Sequence, residues 1–519
     1  MLRLPLSLLS TSAMLLLAAC ASPLPAALDL PDLPAQWRND ISPGRHATPH
    51  SASDAAPDRV SDAAPDIASK ATPHSASNAT SHSASDATSD NASSAAPDST
   101  SDAMPDNAPW WTAFGSDVLN GLVEQALSNN HDIQAARHRL ASAHTSNSKA
   151  WAAFWPTASF KIQGARDASA RDNYMQAGVE VLWPLALPVE KQGVSRLAQS
   201  QFDMAQANQG LTRATVAAEV VRTWLQAVHV ARTLAIEQSA LASATVSVNY
   251  LEHRVRTGLL ADTATLPARM QADERRRRIA TASATLHELA QTLALLVGQS
   301  TPDPAWFATV PPAVAATGTP PAAHTPLIER VPSAWLAQRH DVSLARAQVV
   351  QAAGQADLAQ AALYPRVVLG LSWIYAKNLT GNVRHRNDAE PMIAPFIDIP
   401  LWNWGVRLAT RDAQALAVKA ALSDYQQTLL AAYAETEIAL QALASWRQVS
   451  ALSENAVEQY RHVWQRAQVS ALAGITDKLD VEDARRSLQD AEIQRSASLL
   501  GEQLAFSALH RNRQVGVSQ

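Results

Sequence analysis

The hydrophobic and polar positions of the chain alternate between two periods, and the two kinds of segment follow a fixed order. Apolar side chains recur at helical spacing over 117–152, and Pro156 ends this segment. Apolar and polar residues then alternate with period two over 157–164 and again over 175–183. This pattern predicts a helix followed by two β-strands that pair as a hairpin. A long helical stretch without proline follows, from Val194 to Thr257.

The second half of the chain has the same order of patterns. Two alternating segments, 367–375 and 392–399, precede a stretch from Val406 to Ala473 that contains neither proline nor glycine. A glycine ends each long stretch, and a second helical pattern returns after it. At about 1.5 Å per residue, a helix of roughly 65 residues is about 100 Å long. Such rods are typical of coiled coils and helical cylinders rather than of ordinary globular domains.

The two halves also match in sequence, which indicates an internal duplication. Asn130-His131-Asp132-Ile133 is echoed 209 residues later by Arg339-His340-Asp341-Val342. Thr257-Gly258-Leu259 is echoed 216 residues later by Ala473-Gly474-Ile475. One insertion of seven residues between Pro365 and Pro400 accounts for the change in spacing and lengthens the second hairpin.

The strands and their tryptophans leave two interpretations open. Strands of about 10 residues with one apolar face suit a tilted membrane strand. A half-buried hairpin in a soluble domain would alternate in the same way. Trp183, Trp402 and Trp404 lie at the predicted strand ends, where an aromatic girdle would lie, and they could equally be core residues at helix starts.

The first residues predict a bacterial lipoprotein signal over 1–19. Arg3 precedes an apolar run from Leu4 to Leu17, and small residues then lead to Cys20, the one cysteine of the 519 residues. We expect cleavage before Cys20 and lipidation of its thiol and new amino terminus, with several acyl chains for firm anchoring. By analogy, Ala21 directs the lipoprotein to the outer membrane. The alternative is a chance cysteine behind an ordinary signal peptide.

A low-complexity segment separates the lipidated segment 20–44 from the patterned part of the chain. Residues 45–107 consist mainly of Ala, Ser, Asp, Pro, Thr and His with almost no large apolar side chain, which predicts a disordered linker. Its four histidines (His46, His50, His74 and His82) could bind a metal weakly. A solvated spacer is favoured because the histidines lack the spacing of a known metal site.

Charge and motif content exclude several classes of function. The chain has 42 basic and 47 acidic residues, a net charge of −5, and therefore no large basic surface for nucleic acid. After the signal, no segment is apolar and long enough to span a bilayer as a helix, so a membrane crossing would require strands closed into a barrel. We find no phosphate loop, nucleophile elbow or metal cluster, and we predict no enzymatic activity, cofactor or metal.

Two charged patterns in the first return helix receive simple interpretations. His287-Glu288 lacks the second histidine of a zinc-protease helix and is interpreted as a surface pair. The run Arg275 to Arg278 could pair with acids on a neighbouring rod or a partner protein, but we favour a solvated helix face.

Taken together, the motifs resemble the TolC-like outer membrane factor family, most closely its lipidated NodT-type branch. The resemblance covers Trp110 to about Leu509. Its carriers are Trp111-Thr112-Ala113-Phe114, Ala126-Leu127-Ser128-Asn129-Asn130, Trp155-Pro156, Arg339-His340-Asp341-Val342, Leu363-Tyr364-Pro365, Ile399-Pro400-Leu401-Trp402-Asn403-Trp404-Gly405 and Ala473-Gly474-Ile475-Thr476-Asp477. Each motif alone is of low specificity, and their order and spacing behind a lipoprotein signal make the set specific.

The resemblance implies a mostly α fold with a pair of β-hairpins, assembled as a homotrimer. Each protomer would contribute four strands to a twelve-stranded outer-membrane barrel and its helices to a long periplasmic α-helical barrel. The implied function is the exit duct of a tripartite efflux pump for small toxic compounds or drugs. A periplasmic adaptor protein and an inner-membrane transporter, of the RND type or similar, would complete the pump, and outer-membrane lipids would surround the barrel.

In the family, the turns after the long helices form the closed periplasmic end and dock the adaptor. The corresponding residues are Gly258, Leu259, Gly474 and Ile475. Acidic residues just beyond the second turn line the gate, and the matching positions are Asp480 and Asp483. The alternative is that these acids only stabilise a solvated helix start.

Two positions depart from the family pattern. Glu482 takes the place of a residue that is usually apolar. Thr263-Ala264 stands where some members have an acidic gate residue, which puts a gate contact from the first half in doubt.

We expect the boundaries 1–19, 20–44, 45–107, a first repeat over 108–310, a linker over 311–325, a second repeat over 326–510 and a tail over 511–519. The hairpins are expected at about 157–183 and 366–400, and the tips near 258 and 474. Two alternative functions remain open. The chain could be the exit duct of type I protein secretion, or a non-conducting coiled-coil structural lipoprotein.

Overall fold

The computed structural model describes residues 109–167, 172–308, 336–337, 339–378, 389–400 and 402–511. Within these ranges the side chains are described at every position except 165–167, 172–174, 308, 376–378 and 389–391. The predicted signal peptide, Cys20, the 45–107 linker and the 311–325 linker lie outside the described residues.

Two helices, rather than the single helix predicted over 117–152, precede the first strand. Helix α1 spans Asp117–Asn129 and α2 spans His131–Ser148, and a 3-10 helix, Ala150–Phe154, leads to Pro156. The prediction was wrong at Asn130, whose side-chain oxygen accepts hydrogen bonds from the amides that begin α2. Asparagine is a favoured N-cap because it satisfies these amides.

Four antiparallel strands form one sheet in sequence order. Strand β1 spans Thr157–Asp167, β2 Asp172–Leu185, β3 Arg366–Asn378 and β4 Ala389–Asp398. Each predicted strand is therefore confirmed. The second hairpin is joined to the first through the pairing of β2 with β3.

The register of the sheet places apolar residues of all four strands on one face. Val179 lies opposite Phe160 of β1 and Trp373 of β3, and Trp373 lies opposite Pro391 of β4. The next row on this face contains Ala158, Val181, Leu371 and Ile393. The opposite face carries the ion pair between Lys161 and Glu180. The apolar face is solvent-exposed in the single chain, since Phe160 and Trp373 are 66% and 63% exposed.

Two helices of 69 residues each follow the hairpins and confirm the predicted rods. Helix α3 spans Pro188–Arg256 and α6 spans Trp404–Leu472. Each is about 100 Å long. Trp404 thus begins a helix rather than ending a strand, and it is exposed rather than part of a core.

Three further helices pack against these rods. Helix α4 spans Leu266–Val297, α5 His340–Ala361 and α7 Lys478–His510, and a four-residue helix lies at Ala305–Ala308. Helix α3 contacts α4, α5 and α7, while α6 contacts α5 and α7. Gly210 within α3 is required by this packing, because a Cβ there would collide with the imidazole ring of His340.

The same order of hairpin, 69-residue helix and return helix occurs in both halves of the described chain. Strand β3 begins 209 residues after β1, whereas α6 begins and ends 216 residues after α3. The seven-residue difference therefore arises between the starts of β3 and α6.

The main hydrophobic core surrounds the middle of α3. Trp224 and Val220 of α3 pack with Leu119 of α1, Leu293 of α4 and Phe506 of α7. Trp110 and Trp111, at the start of the described chain, join this cluster, and Trp110 stacks on the ring of His510. No helix in the described ranges is both long and apolar enough to cross a bilayer.

Candidate functional site at the helix tips

Both long helices end in the same glycine turn. Gly258 and Gly474 each have φ of +75°, a left-handed conformation that costs glycine little. The amide of Leu259 donates to the carbonyl of Arg254 at 2.9 Å, and the amide of Ile475 donates to that of Ser470 at 2.9 Å. This is the Schellman motif, which satisfies the last carbonyls of a helix.

The residues after these glycines project apolar side chains into solvent. Leu259 is 68% exposed and Ile475 is 77% exposed in the single chain. Both tips therefore present an uncovered aliphatic side chain on a rigid turn. Such a surface suits contact with another protein.

A polar contact joins the two tips to each other. The Asp477 carboxylate accepts a hydrogen bond from the Tyr250 hydroxyl at 2.7 Å and from the Arg254 guanidinium at 3.0 Å. Tyr250 and Arg254 lie in the last turns of α3, whereas Asp477 caps the N-terminus of α7. We refer to Tyr250, Arg254 and Asp477 as the tip link.

The chemistry of the tip link keeps Asp477 ionised. The hydrogen bond from Tyr250 is the largest influence, and with the Lys478 amide and the Arg254 charge it lowers the pKa of Asp477 below its usual value. The same hydrogen bond raises the pKa of the Tyr250 hydroxyl, which therefore keeps its proton. The three groups thus hold a charged, hydrogen-bonded contact at neutral pH.

The predicted gate acids, Asp480 and Asp483, lie on the exposed side of the first turns of α7. Asp480 accepts a hydrogen bond from the Asp477 amide at 3.1 Å and completes a capping box at the helix start. Asp483 forms an ion pair with Arg486 one turn further on. In the first half, Thr263 and Ala264 lie in a 3-10 helix, Asp262–Thr265, before α4.

The interpretation of Arg275 to Arg278 as a solvated face was wrong for Arg275. Its guanidinium is buried and donates to Glu237 of α3 and Asp490 of α7, both at 2.9 Å. These hydrogen bonds outweigh the effect of burial and raise the pKa of Arg275. We call this set of three residues the Arg275 bridge. Within it only Arg275 and Glu237 are buried, and removing one partner of such a buried pair typically costs about 3–5 kcal/mol, whereas the Asp490 side chain is 50% exposed.

Arg276 and Arg277 lie on the predicted solvated face, whereas Arg278 does so only in part. Arg276 and Arg277 are exposed and pair with Asp273 and Glu274 on their own helix. Arg278 lies between the two environments, because it reaches both Glu274 and the buried Glu237.

The tip link was missed because Asp477, although part of a recognised motif, lies more than 200 positions from Tyr250 and Arg254. Pairing of the arginine run with acids on a neighbouring rod was considered only as the less favoured alternative, and Asp490 lies 215 positions from Arg275. The one local signal for the tip link is the spacing of Tyr250 and Arg254, four residues apart on one helix face. Cys20 lies outside the described residues. Within those residues, His, Cys, Asp and Glu side chains form no cluster that could hold a metal ion.

Comparison with known proteins decides the family. Two stretches of the chain, 122–299 and 331–509, match the outer membrane efflux protein family. Together they span more than half of the sequence. The chain belongs to the outer membrane efflux protein family. The resemblance predicted from the motifs is thereby confirmed.

Similar proteins include curated relatives and solved structures. The pyoverdine export outer membrane protein OpmQ of Pseudomonas putida is 25% identical over 422 residues, covering 78% of this chain and 87% of that protein. Nodulation protein T of Rhizobium leguminosarum bv. trifolii is 23% identical over 73% of this chain and 81% of its own length. The CmeC outer membrane channel of Campylobacter jejuni superposes with a TM-score of 0.67 at 16% identity, over 82% of this chain and 95% of that structure.

These findings establish the general function of the chain. As a member of the family it is an outer-membrane efflux channel, and the expected role as an efflux exit duct is confirmed. Members of the family are transport proteins. The structural similarity confirms the mostly helical fold with a small antiparallel sheet.

Proposed function

We propose that three copies of this chain form the exit duct of a tripartite efflux pump, and the exposed apolar face of the sheet carries the proposal. Within the described residues, β1 and β4 each pair with one strand, so each leaves one edge without a partner. A strand edge at membrane depth must be paired, because no water is present to satisfy its amides. Three four-stranded sheets joined edge to edge give a closed barrel of twelve strands.

The surface of α6 supports assembly through the helices as well. Its exposed apolar residues extend along almost the whole rod: Leu416, Ile438, Leu452, Val463 and Val469. A monomer would expose this stripe to water. Helices of neighbouring copies would cover it and enclose a periplasmic tunnel.

The repeated order of elements supports an origin by internal duplication. In this proposal, residues 108–310 and 326–510 are the two repeats, joined by 311–325 and followed by the tail 511–519. The separate matches of 122–299 and 331–509 to the family agree with this division.

The N-terminal region would anchor the duct. We assign 1–19 as the signal peptide, Cys20 as the lipidated residue, and 20–44 with 45–107 as the tether to the body. Trp110 and Trp111 begin that body by packing into the core around Trp224. The acyl chains would add an outer-membrane attachment independent of the barrel.

The tips would form a gate. Asp480 and Asp483 of three copies would lie around the three-fold axis, where like charges repel and attract cations. The tip link supports this assignment, because it ties the start of α7 to the end of α3 and opposes the repulsion. Opening would require the release of Asp477.

The remaining partners follow from the exposed turns and from the relatives. Gly258, Leu259, Gly474 and Ile475 would contact the periplasmic adaptor, and an inner-membrane transporter of the RND type or similar would supply energy. Named relatives export pyoverdine or serve a toluene efflux pump. We therefore assign small toxic compounds as the cargo class. The chain would conduct them passively, with no catalytic step and no cofactor.

The proposal is tested by ion conductance of the purified lipidated protein in planar bilayers. We expect small cation-selective openings in the wild type and loss of selectivity in the double variant Asp480→Ala/Asp483→Ala. The variant Asp412→Ala, which removes an exposed acid far from the tips, should match the wild type. Unchanged cation selectivity in the double variant would contradict the assignment of Asp480 and Asp483 to the gate. Protein that inserts into the bilayer but does not conduct would contradict the proposed duct.

A further inference from the structure

A cavity of about 360 Å³ lies between α3, α4 and α7. Helix α3 contributes Ser243 to its wall, α4 contributes Arg275, and α7 contributes Glu482 and Gln489. This volume lies within the range of small-molecule pockets, about 300–1,000 Å³. The polar groups of the wall therefore indicate which kind of molecule fits there.

Four arginines line the cavity, and each of them forms an ion pair with an acid. The pairs are Arg275 with Glu237 and Asp490, Arg277 with Glu274, Arg278 with Glu274 and Glu237, and Arg486 with Asp483. Four acids thus match the four arginines. Glu482 is a fifth acid, and it forms no ion pair within the described residues. The wall of the cavity therefore carries an uncompensated negative charge at Glu482.

Three lining residues also have a buried oxygen without a hydrogen-bond partner in the described part of the chain. The atoms are Ser243 Oγ, Glu482 Oε2 and Gln489 Oε1. Ser243 and Gln489 are each only 6% exposed. The Gln489 side-chain amide donates to the Ser239 hydroxyl at 3.1 Å, which fixes the side chain and leaves its oxygen as an acceptor. A buried acceptor is costly to leave unpaired, so these oxygens favour a ligand that donates hydrogen bonds.

Acceptor oxygens and one negative charge together select a cationic donor. A primary ammonium group has three N–H donors and one positive charge. The apolar side chains of Ala240 and Met270 also line the cavity and suit a small organic body. A divalent metal ion fits less well, because Ca²⁺ takes about 6–8 oxygen ligands and the described residues offer no cluster of metal-ligating side chains here.

We propose that this cavity is a binding site for a small primary amine in its protonated form. Glu482 forms an ion pair with the ammonium group, and Ser243 Oγ and Gln489 Oε1 accept its remaining N–H groups. Because Ser243 belongs to α3 and the other two residues to α7, the bound amine links these helices. The inference goes beyond the proposed duct, since binding in this cavity requires no conduction.

Calorimetric titration of the full-length lipidated protein in non-ionic detergent tests the site, with phenethylammonium chloride as the probe. Its N,N,N-trimethyl derivative has the same charge and no N–H donor, and serves as the matched probe. We expect the wild type to bind phenethylammonium about tenfold more tightly, because only this probe can donate to the three oxygens. Equal affinity for the two probes would overturn the proposal. Absence of phenethylammonium binding would also overturn it and leave water as the donor to these oxygens.

Variants of the wall assign the binding to these residues. Glu482→Gln keeps the shape of the side chain and removes its charge, and we expect about tenfold weaker phenethylammonium binding. Ser243→Ala removes one acceptor and should weaken binding about threefold. Asp273→Asn removes an acid of α4 that is 70% exposed, pairs with Arg276 and does not line the cavity, so it should bind as the wild type does.

Unchanged affinity in Glu482→Gln would overturn the site, and so would equal losses in Glu482→Gln and Asp273→Asn, which would show general attraction to an acidic surface. Thermal unfolding of each variant confirms that it is folded. If Glu482→Gln does not fold, Ser243→Ala decides the question, because unchanged affinity there would overturn the proposed contacts. Conductance in planar bilayers decides the duct separately from this result.

Discussion

At the scale of single residues, Gly474 and Asp477 determine the shape and the attachment of the second tip. Gly474 allows the left-handed turn that ends α6, and Asp477 three residues later begins α7 and binds α3. The turn is local and the attachment is long-range. The two can therefore be disturbed separately.

Replacing the turn glycine should loosen the tip without creating a clash. A Cβ at Gly474 would meet no atom within 4 Å, so Gly474→Ala costs only the left-handed conformation, about 1 kcal/mol. We expect roughly fivefold faster amide hydrogen exchange around the turn. Gly405→Ala in α6, which also meets no atom within 4 Å but lacks a positive φ, should not accelerate exchange. Equal behaviour of the two variants would contradict the strain argument.

The tip link should depend on pH only in acid. The Tyr250 hydrogen bond is the main cause of the lowered pKa of Asp477. A carboxylate with a lowered folded pKa stabilises the fold above its unfolded pKa, about 3.9, and loses this effect as pH falls through the folded pKa. The tip should therefore be unchanged from pH 5 to 8 and loosen below about pH 4.

Conductance measured over this pH range checks the prediction. Asp477→Asn should conduct at neutral pH as the wild type does in acid, and should lack the acid step that the wild type shows. An identical acid step in both proteins would assign the transition to other carboxylates, such as Asp480 and Asp483.

Residue roles were the hardest feature to predict from sequence. Four consecutive arginines point in four directions on a helix, about 100° apart, so one of them meets the neighbouring helices while others remain in water. Which one does so depends on the packing of α4 against α3 and α7. Asp490 also lies 215 residues away in sequence from Arg275.

At the scale of elements, periodicity predicted most of the fold. The alternating segments and the proline-free stretches became the four strands and the two 69-residue helices. The break at Asn130 was not predicted, because helical periodicity continues across it. That break depends on a distant contact as well, since the side-chain amide of Asn130 donates a hydrogen bond to the backbone carbonyl of Leu296 at 3.0 Å.

The two faces of the sheet should respond differently to charge. Trp373 lies in the apolar row of β3, whereas its neighbour Ser372 faces the opposite side with Glu180. An arginine on a lipid-facing strand position costs about 2–4 kcal/mol near the bilayer midplane. We expect Trp373→Arg to reduce folded protein in the outer-membrane fraction severalfold and Ser372→Arg to be tolerated. The reverse order would show that the other face meets lipid.

At the scale of the whole molecule, the single chain leaves its apolar surfaces uncovered. The sheet face around Phe160 and the stripe along α6 have no cover within the described residues. The sequence predicts the sheet face through its period-two alternation, whereas the stripe along α6 was not predicted. It does not indicate the number of copies, since the angle at which neighbouring sheets meet is a property of the assembly; the number three came from the family resemblance.

Native mass spectrometry of the protein extracted from outer membranes tests the trimeric duct most directly. We predict one predominant species of three chains, each carrying the mass of acyl chains at Cys20. Trp373→Arg should lower the yield of this species, whereas Ser372→Arg should not. A stable monomer or dimer as the main folded species would contradict the account, because four or eight of these strands would not complete the proposed barrel.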